Sequence, residues 1–419
     1  MPQLTPGAHA AAPAQKPPPR LSDVHFKELY KKETYDAHTR DGWVLQITRY
    51  RPVPQAWSQP LLDEPIVLVP GWSQNRHAFT SGDFVKQLLA WGADCHILEL
   101  RGHGKSSRAL QLQRASHEGR SVPADFDFAW DLDSYLLEDL PAGIAAVKQR
   151  TGRAKVFYLG NSMGGMLGYG YAARHHDLAG LIAIGAPSDL GRGFPLLKLI
   201  AALGPVVVNP ALDAATGAVN AVDALRFGTA SLLRKTRVLT RAGDAIADPA
   251  SQPLSLRYSH LPVDLFTQTM ARVAHPLSLK AMHAVEPVLR RFGSLVNPGR
   301  VELDDLRWLL RQGGEKEPRA VMDQFARWIT HDEMRCYRDG FDYKLGMRDL
   351  RAPLAVVYGA FDKLASEEST RTIFRSAKSE YLVRCRVDDN SHLEMTMGND
   401  VDRICRVVFE LVQWVKARA

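Results

Sequence analysis

A chain of 419 residues with 45% hydrophobic side chains can bury a sizeable core, and it leaves room for one core fold carrying an insertion. Its formal charge of +7 (53 basic against 46 acidic residues) is spread singly or in short pairs such as Lys31-Lys32 and Arg290-Arg291. No basic run is interleaved with aromatics, which argues against nucleic acid as a partner, while the same excess allows weak attraction to an anionic membrane surface.

Residues 1–24 open with a Pro- and Ala-rich stretch to Arg20 that lacks the apolar segment of a secretory signal, so they read as a disordered tail. No run of about 18 apolar residues follows anywhere. The longest candidate, Leu199–Val208, is short and interrupted by Gly204-Pro205. The expectation is no membrane span and a cytoplasmic location.

Residues 25–190 form the first part of an α/β core. Glu33–Thr39 and Val44–Tyr50 alternate apolar and polar residues around Arg40-Asp41-Gly42, which predicts an antiparallel hairpin at a sheet edge. Beyond it, strands appear as continuous apolar runs separated by helices, the pattern of a parallel sheet covered on both faces. Ile66–Val69 is such a run and ends in Pro70-Gly71-Trp72-Ser73. Cys95–Leu100 is another, followed by Arg101-Gly102-His103-Gly104-Lys105-Ser106-Ser107. Gly104-Lys105-Ser106 resembles the end of a phosphate-binding Walker A loop. The position five before Gly104 is Glu99, however, and a carboxylate there would oppose the phosphates, so a nucleoside triphosphate site is discarded. Residues 130–150 carry apolar positions at helical spacing.

The most informative stretch is Gly160-Asn161-Ser162-Met163-Gly164, between the apolar run Val156–Leu159 and the predicted helix Gly164–Ala173. A strand turning sharply into a helix forces the residue at the turn into a strained backbone, and small residues two before and two after it avoid a clash. The Ser162 hydroxyl then stands clear of the sheet beside the positive helix end. The amide of Met163 is placed to donate to a developing oxyanion. Leu181–Pro187 reads as the next strand.

Residues 191–345 break the alternation. Predicted helices run over Leu196–Leu203, Leu261–Val273, Leu303–Gln312 and Arg319–Ile329, with few strand-like runs. Residues 346–419 restore the core with the strand Pro353–Gly359, a second strand and the helix Asp402–Ala417.

Cys95, Cys336, Cys385 and Cys405 lack C-x-x-C spacing, so neither a disulfide framework nor a zinc site is suggested. His331-Asp332-Glu333 and His392-Leu393-Glu394 lack the H-E-x-x-H spacing of a metal helix, and no metal or cofactor is expected.

In chain order, the Pro70-Gly71-Trp72 turn, the Arg101–Ser107 turn, the Ser162 elbow, Asp362 after a late strand and Asn390-Ser391-His392 resemble the α/β-hydrolase family of the esterase and lipase type. Pro70 stands where many members have His. The resemblance covers residues 35–190 and 345–419. It implies a mostly parallel eight-stranded sheet with a helical cap inserted at 191–345. It also implies Ser162 as nucleophile, His392 as general base and Asp362 as the acid that orients it. Asp388 and Asp389, nearer His392 in sequence, are the rival acids, and Asp362 is preferred on motif position. The backbone amides of Met163 and Trp72 would form the oxyanion hole, with Gly71 and Trp72 at the substrate pocket. The implied activity is hydrolysis of a small-molecule carboxylic ester, with an apolar acyl chain suggested by the likeness of Thr39–Leu45 to acid lipases. An acyltransferase using the same triad and a non-catalytic binding protein are the alternatives.

Overall fold

The computed structural model describes residues 26–53, 62–192, 260–273 and 295–418. The tail expected over 1–24 and the helix expected at Leu196–Leu203 lie outside the described residues. The strands are β1 (Tyr30–His38), β2 (Val44–Pro52), β3 (Pro65–Val69), β4 (Asp94–Glu99), β5 (Val156–Asn161), β6 (Leu178–Ile184), β7 (His260–Leu261), β8 (Glu317–Pro318), β9 (Leu354–Gly359) and β10 (Leu382–Val387). The longer helices are α1 (Phe84–Ala90), α2 (Arg108–Glu118), α3 (Leu140–Thr151), α4 (Met163–Arg174), α5 (Val263–Val273), α6 (Leu303–Gln312), α7 (Arg319–His331) and α8 (Val401–Lys416).

Eight strands form one sheet in the order β1-β2-β4-β3-β5-β6-β9-β10. The hairpin β1–β2 and the pair β2–β4 are antiparallel, and every other neighbour is parallel. Strands β3, β4 and β5 are buried at every residue, as their unbroken apolar runs require. Their side chains alternate between two cores. Val67 and Val69 join α3, α4 and α7 on one face, and Ile66 and Leu68 join α1 and α8 on the other. Each such Val or Leu contributes roughly 1.5–3 kcal/mol by leaving water, and a one-residue slip in register would send each set to the opposite core, where its shapes do not match.

From β3 the chain winds outward to β4, then crosses back to β5 on the other side of β3. That reversal leaves a crevice at the carboxyl ends of β3 and β5, where loops from distant parts of the chain meet. Among the described residues between β6 and β9, none joins the main sheet. They hold α5, α6, α7 and the two-residue pair β7–β8. The predicted helices at 303–312 and 319–329 appear as α6 and α7, with α7 ending at His331. Gln324 of α7 ties this segment to the core, donating to Asp133 (2.8 Å) and accepting from the Leu132 amide (2.9 Å).

Candidate active site

Strand β5 passes into α4 with Ser162 alone between them. Its backbone sits at φ 53°, ψ −120°, a positive φ that costs a non-glycine residue roughly 1–3 kcal/mol. The turn is held from both sides: Ser162 N donates to Ile184 O (2.8 Å), and Ser162 O accepts from the amides of Gly165 and Met166 (2.9 and 3.1 Å). The flanking glycines are required by close approach. A Cβ at Gly160 would lie 2.3 Å from the Gly164 carbonyl carbon, and one at Gly164 would lie 2.2 Å from Val69 O.

The structure brings Ser162, His392 and Asp362 together. His392 Nε2 is 2.8 Å from Ser162 Oγ, and Nδ1 is 2.8 Å from Asp362 Oδ2. Asp362, at the turn after β9, spends its other oxygen on the amides of Leu364 and Ala365 (2.9 and 2.8 Å). One oxygen therefore caps the turn, which fixes the carboxylate, and the second faces the imidazole. Asp388 is exposed and pairs with Arg386 at 3.2 Å, and Asp389 lies 4.0 Å from Arg300. Burial opposes charging of His392, but the Asp362 carboxylate, aided by Glu394, outweighs it and raises the imidazole pKa above its ordinary value.

The loop after β3 lies beside the elbow because β3 and β5 are neighbours. A Cβ on Gly71 would be 3.1 Å from Ser162 Cβ. Trp72 follows, and Met163 is the first residue of α4, where a backbone amide has no partner within the helix. The Trp72 ring is partly buried against the apolar core, and its indole nitrogen is buried without a hydrogen-bond partner among the described residues. A narrow apolar crevice runs along α4 between Met163, Met166, Leu136, Phe325 and Trp328, closed tightly enough to leave no room for a water-sized sphere. Trp72 is not part of its lining.

Two neighbours of the site have no signal in the sequence reading. Gln74 Oε1 accepts from the Gly71 amide (3.2 Å) and from Asn161 Nδ2 (3.4 Å), bridging the two loops. Glu394 Oε1 accepts from the Asn297 amide (2.9 Å) and from the Ser391 amide, clamping the His392 loop. Its other oxygen is buried without a partner among the described residues, and burial pushes its pKa up to about 7. Only its place two residues after His392 could have drawn attention to it.

The Arg101–Ser107 turn is built around carboxylates. Arg101 is fully buried and pairs with Asp41, Asp125 and Asp139. Glu99 accepts from the Lys105 amide (3.0 Å) and from the Arg76 side chain (3.2 Å), filling the place a phosphate would need. Among the described residues no group of three or more His, Cys, Asp or Glu side chains could hold a metal ion, and no helix is long and apolar enough to cross a membrane. All four cysteines are free.

Comparison with known proteins bears on this geometry. Residues 64–203 match the family model described as the alpha/beta hydrolase fold. Lipase member M of Homo sapiens is 23% identical over 412 aligned positions, covering 94% of this chain and 85% of that protein. Lipase member N of Mus musculus is 25% identical over 194 positions, 44% of this chain and 42% of that protein. The solved structure of DcsB in complex with its substrate analogue superposes with a TM-score of 0.50 at 12% identity, covering 91% of this chain and 99% of that one.

Proposed function

For a carboxylic ester hydrolase of the α/β-hydrolase fold, we propose that Ser162 is the nucleophile, His392 the general base and Asp362 the group that orients it. Ser162 Oγ attacks the ester carbonyl carbon while His392 Nε2 takes the hydroxyl proton. Negative charge develops on the carbonyl oxygen, and on this reading the amides of Met163 and Trp72 receive it. Collapse of this intermediate breaks the bond to the alkoxy oxygen. The alcohol leaves with the proton from His392, and the acyl group stays on Ser162. Water then repeats the sequence against the acyl-enzyme, returning the acid and the free serine. Asp362 accepts from His392 Nδ1 and stabilises the imidazolium that forms in both halves.

The observation that carries this reading is the pair of 2.8 Å contacts linking Asp362, His392 and Ser162 on a strained elbow. Folding alone gives no reason for a strained serine to meet a histidine backed by a buried carboxylate. On this reading an apolar acyl chain would lie along Met163 and Met166 only once the side chains lining the crevice move apart. Residues 191–345 serve as a cap that excludes water from the crevice. Labelling by a fluorophosphonate together with hydrolysis of p-nitrophenyl esters of increasing chain length tests the proposal. Wild type should label at Ser162 and cleave, and Ser162→Ala should do neither. Cleavage by Ser162→Ala at the wild-type rate would place the nucleophile elsewhere.

A further inference from the structure

Residues 313–318 run from α6 to α7 and are zipped onto the loop after β3. Asn75 N donates to Gly313 O (3.1 Å), Glu315 N donates to Ser73 O (2.9 Å), and Gln74 pairs antiparallel with Gly314. Ser73 Oγ donates back to Glu315 O. Side chains of an extended segment alternate, so Glu315 and Glu317 point the same way, into the core loops. Glu317 meets the buried His103 (2.7 Å) and accepts from the Tyr135 hydroxyl (3.0 Å). Glu315 Oε1 alone accepts from both Asn75 Nδ2 (2.6 Å) and the Gly104 amide (2.9 Å).

This strap lies against a second strained residue. Ser73 has φ 55°, a left-handed conformation in a non-glycine residue, and it directly follows Trp72. Strain of about 1–3 kcal/mol persists only where surrounding contacts over-determine the conformation. Here those contacts come from the inserted segment, 242 residues further along the chain. Released from them, Ser73 would relax into an ordinary region, turn the adjoining peptide planes and carry Trp72 with them.

We propose that Glu315 is a positioning residue for the oxyanion loop: by holding Asn75 and the Gly104 turn to one carboxylate oxygen, it keeps Ser73 strained and the Trp72 amide aimed at the reacting carbonyl. This rests on the triad and oxyanion assignment above. It makes turnover depend on docking of the strap onto the core, though Glu315 touches no reacting atom.

Because one oxygen takes both bonds, the side-chain carbonyl of Gln can replace it and Leu cannot. The test is kcat and KM for p-nitrophenyl butyrate, normalised to sites titrated by fluorophosphonate, in Glu315→Gln, Glu315→Leu and Asn75→Ala. Displacing a catalytic group by ~1 Å costs about 10²-fold in rate, and losing an oxyanion donor costs about 10²–10³-fold. Glu315→Leu should therefore lower kcat by ~10–100-fold with KM within about threefold. The inhibition constant of a trifluoromethyl ketone, which forms an oxyanion on the serine, should rise by the same factor. Glu315→Gln should stay within about threefold of wild type on the same oxyanion argument. Asn75→Ala opens the clamp from its other side and keeps the test alive should Glu315→Leu not fold; its kcat should fall about tenfold. A merely structural strap would lower the melting temperature and leave normalised kcat and the ketone affinity unchanged, and that result would overturn the proposal. Ser162→Ala separates the two readings. If it is inactive while Glu315→Leu and Asn75→Ala turn over normally, the strap proposal alone fails. If it is active, the site assignment itself fails.

Discussion

Replacing Ser162 by Ala and by Gly separates the chemistry of the elbow from its strain. Both variants lose the nucleophile and the 2.8 Å contact with His392, so both should lose about 10⁴–10⁶ in turnover. Their stabilities should differ for a backbone reason. At φ 53° the Ala variant keeps strain of roughly 1–3 kcal/mol, which Gly does not feel. Two effects oppose Gly. It gains about 0.4–1 kcal/mol of conformational freedom in the unfolded chain, and it gives up at most ~0.8 kcal/mol of burial at this half-buried position. With central values for strain and freedom and the full ~0.8 kcal/mol of burial, the Gly variant comes out about 0.5 kcal/mol more stable than the Ala variant. At a site with ordinary φ the two opposing effects alone would leave Gly about 1.5 kcal/mol less stable. Urea unfolding of the pair, with a shared dependence on denaturant, resolves a gap of that size. A Gly variant less stable than the Ala variant by ~1 kcal/mol or more would refute the claim that the elbow stores strain.

His392→Ala should cost about 10⁴–10⁶ in kcat and Asp362→Asn about 10³–10⁴, since the base survives in the second; equal losses would sink the orienting role. The acid limb of kcat/KM should lie above the usual histidine value of 6.5, because His392 must be neutral to act and its pKa is raised. Glu394→Gln removes a nearby negative charge that favours the imidazolium, so that limb should move to lower pH; an unmoved limb would show that Glu394 does not reach His392 electrostatically. The raised pKa also means that protonated His392 adds stability below about pH 6.5, and this contribution is lost as pH rises through the folded value, measurable as urea midpoints across that range. Gly71→Val should lower kcat at least ~100-fold, since its Cβ would crowd Gln74 Oε1 (2.8 Å) and Ser162 Cβ (3.1 Å). Trp72→Phe keeps the amide and should stay within about tenfold on an acetate ester; full activity in Gly71→Val would move the oxyanion loop elsewhere.

Ser162 was legible in the sequence because its signal is local. The steric demand at Gly160 acts within one turn of chain, against Gly164, and the apolar run of β5 is read by burial alone; only the crowding of Gly164, by Val69 O, comes from a distant strand. The unbroken runs of β3 and β4 and the alternation of β1 were legible for the same reason, as were α6 and α7 from their helical spacing. Motif order pointed to His392 and Asp362, but the residues around them did not single them out. Ser162 and His392 are 230 residues apart, and what joins them is the order of β5, β6, β9 and β10 across the sheet. Only the tertiary structure decided that Asp362, rather than Asp388 or Asp389, faces the imidazole, because that depends on where a turn after β9 points. Gln74, Glu394 and Glu315 were invisible for a related reason. Each is an ordinary polar residue on a loop, and its role comes from partners supplied by packing, in the case of Glu315 from residues more than 200 positions away. Propensity and period act over a few residues and can be read along the chain. The placement of a buried carboxylate against distant amides is set by how sheet, helices and inserted segment pack together.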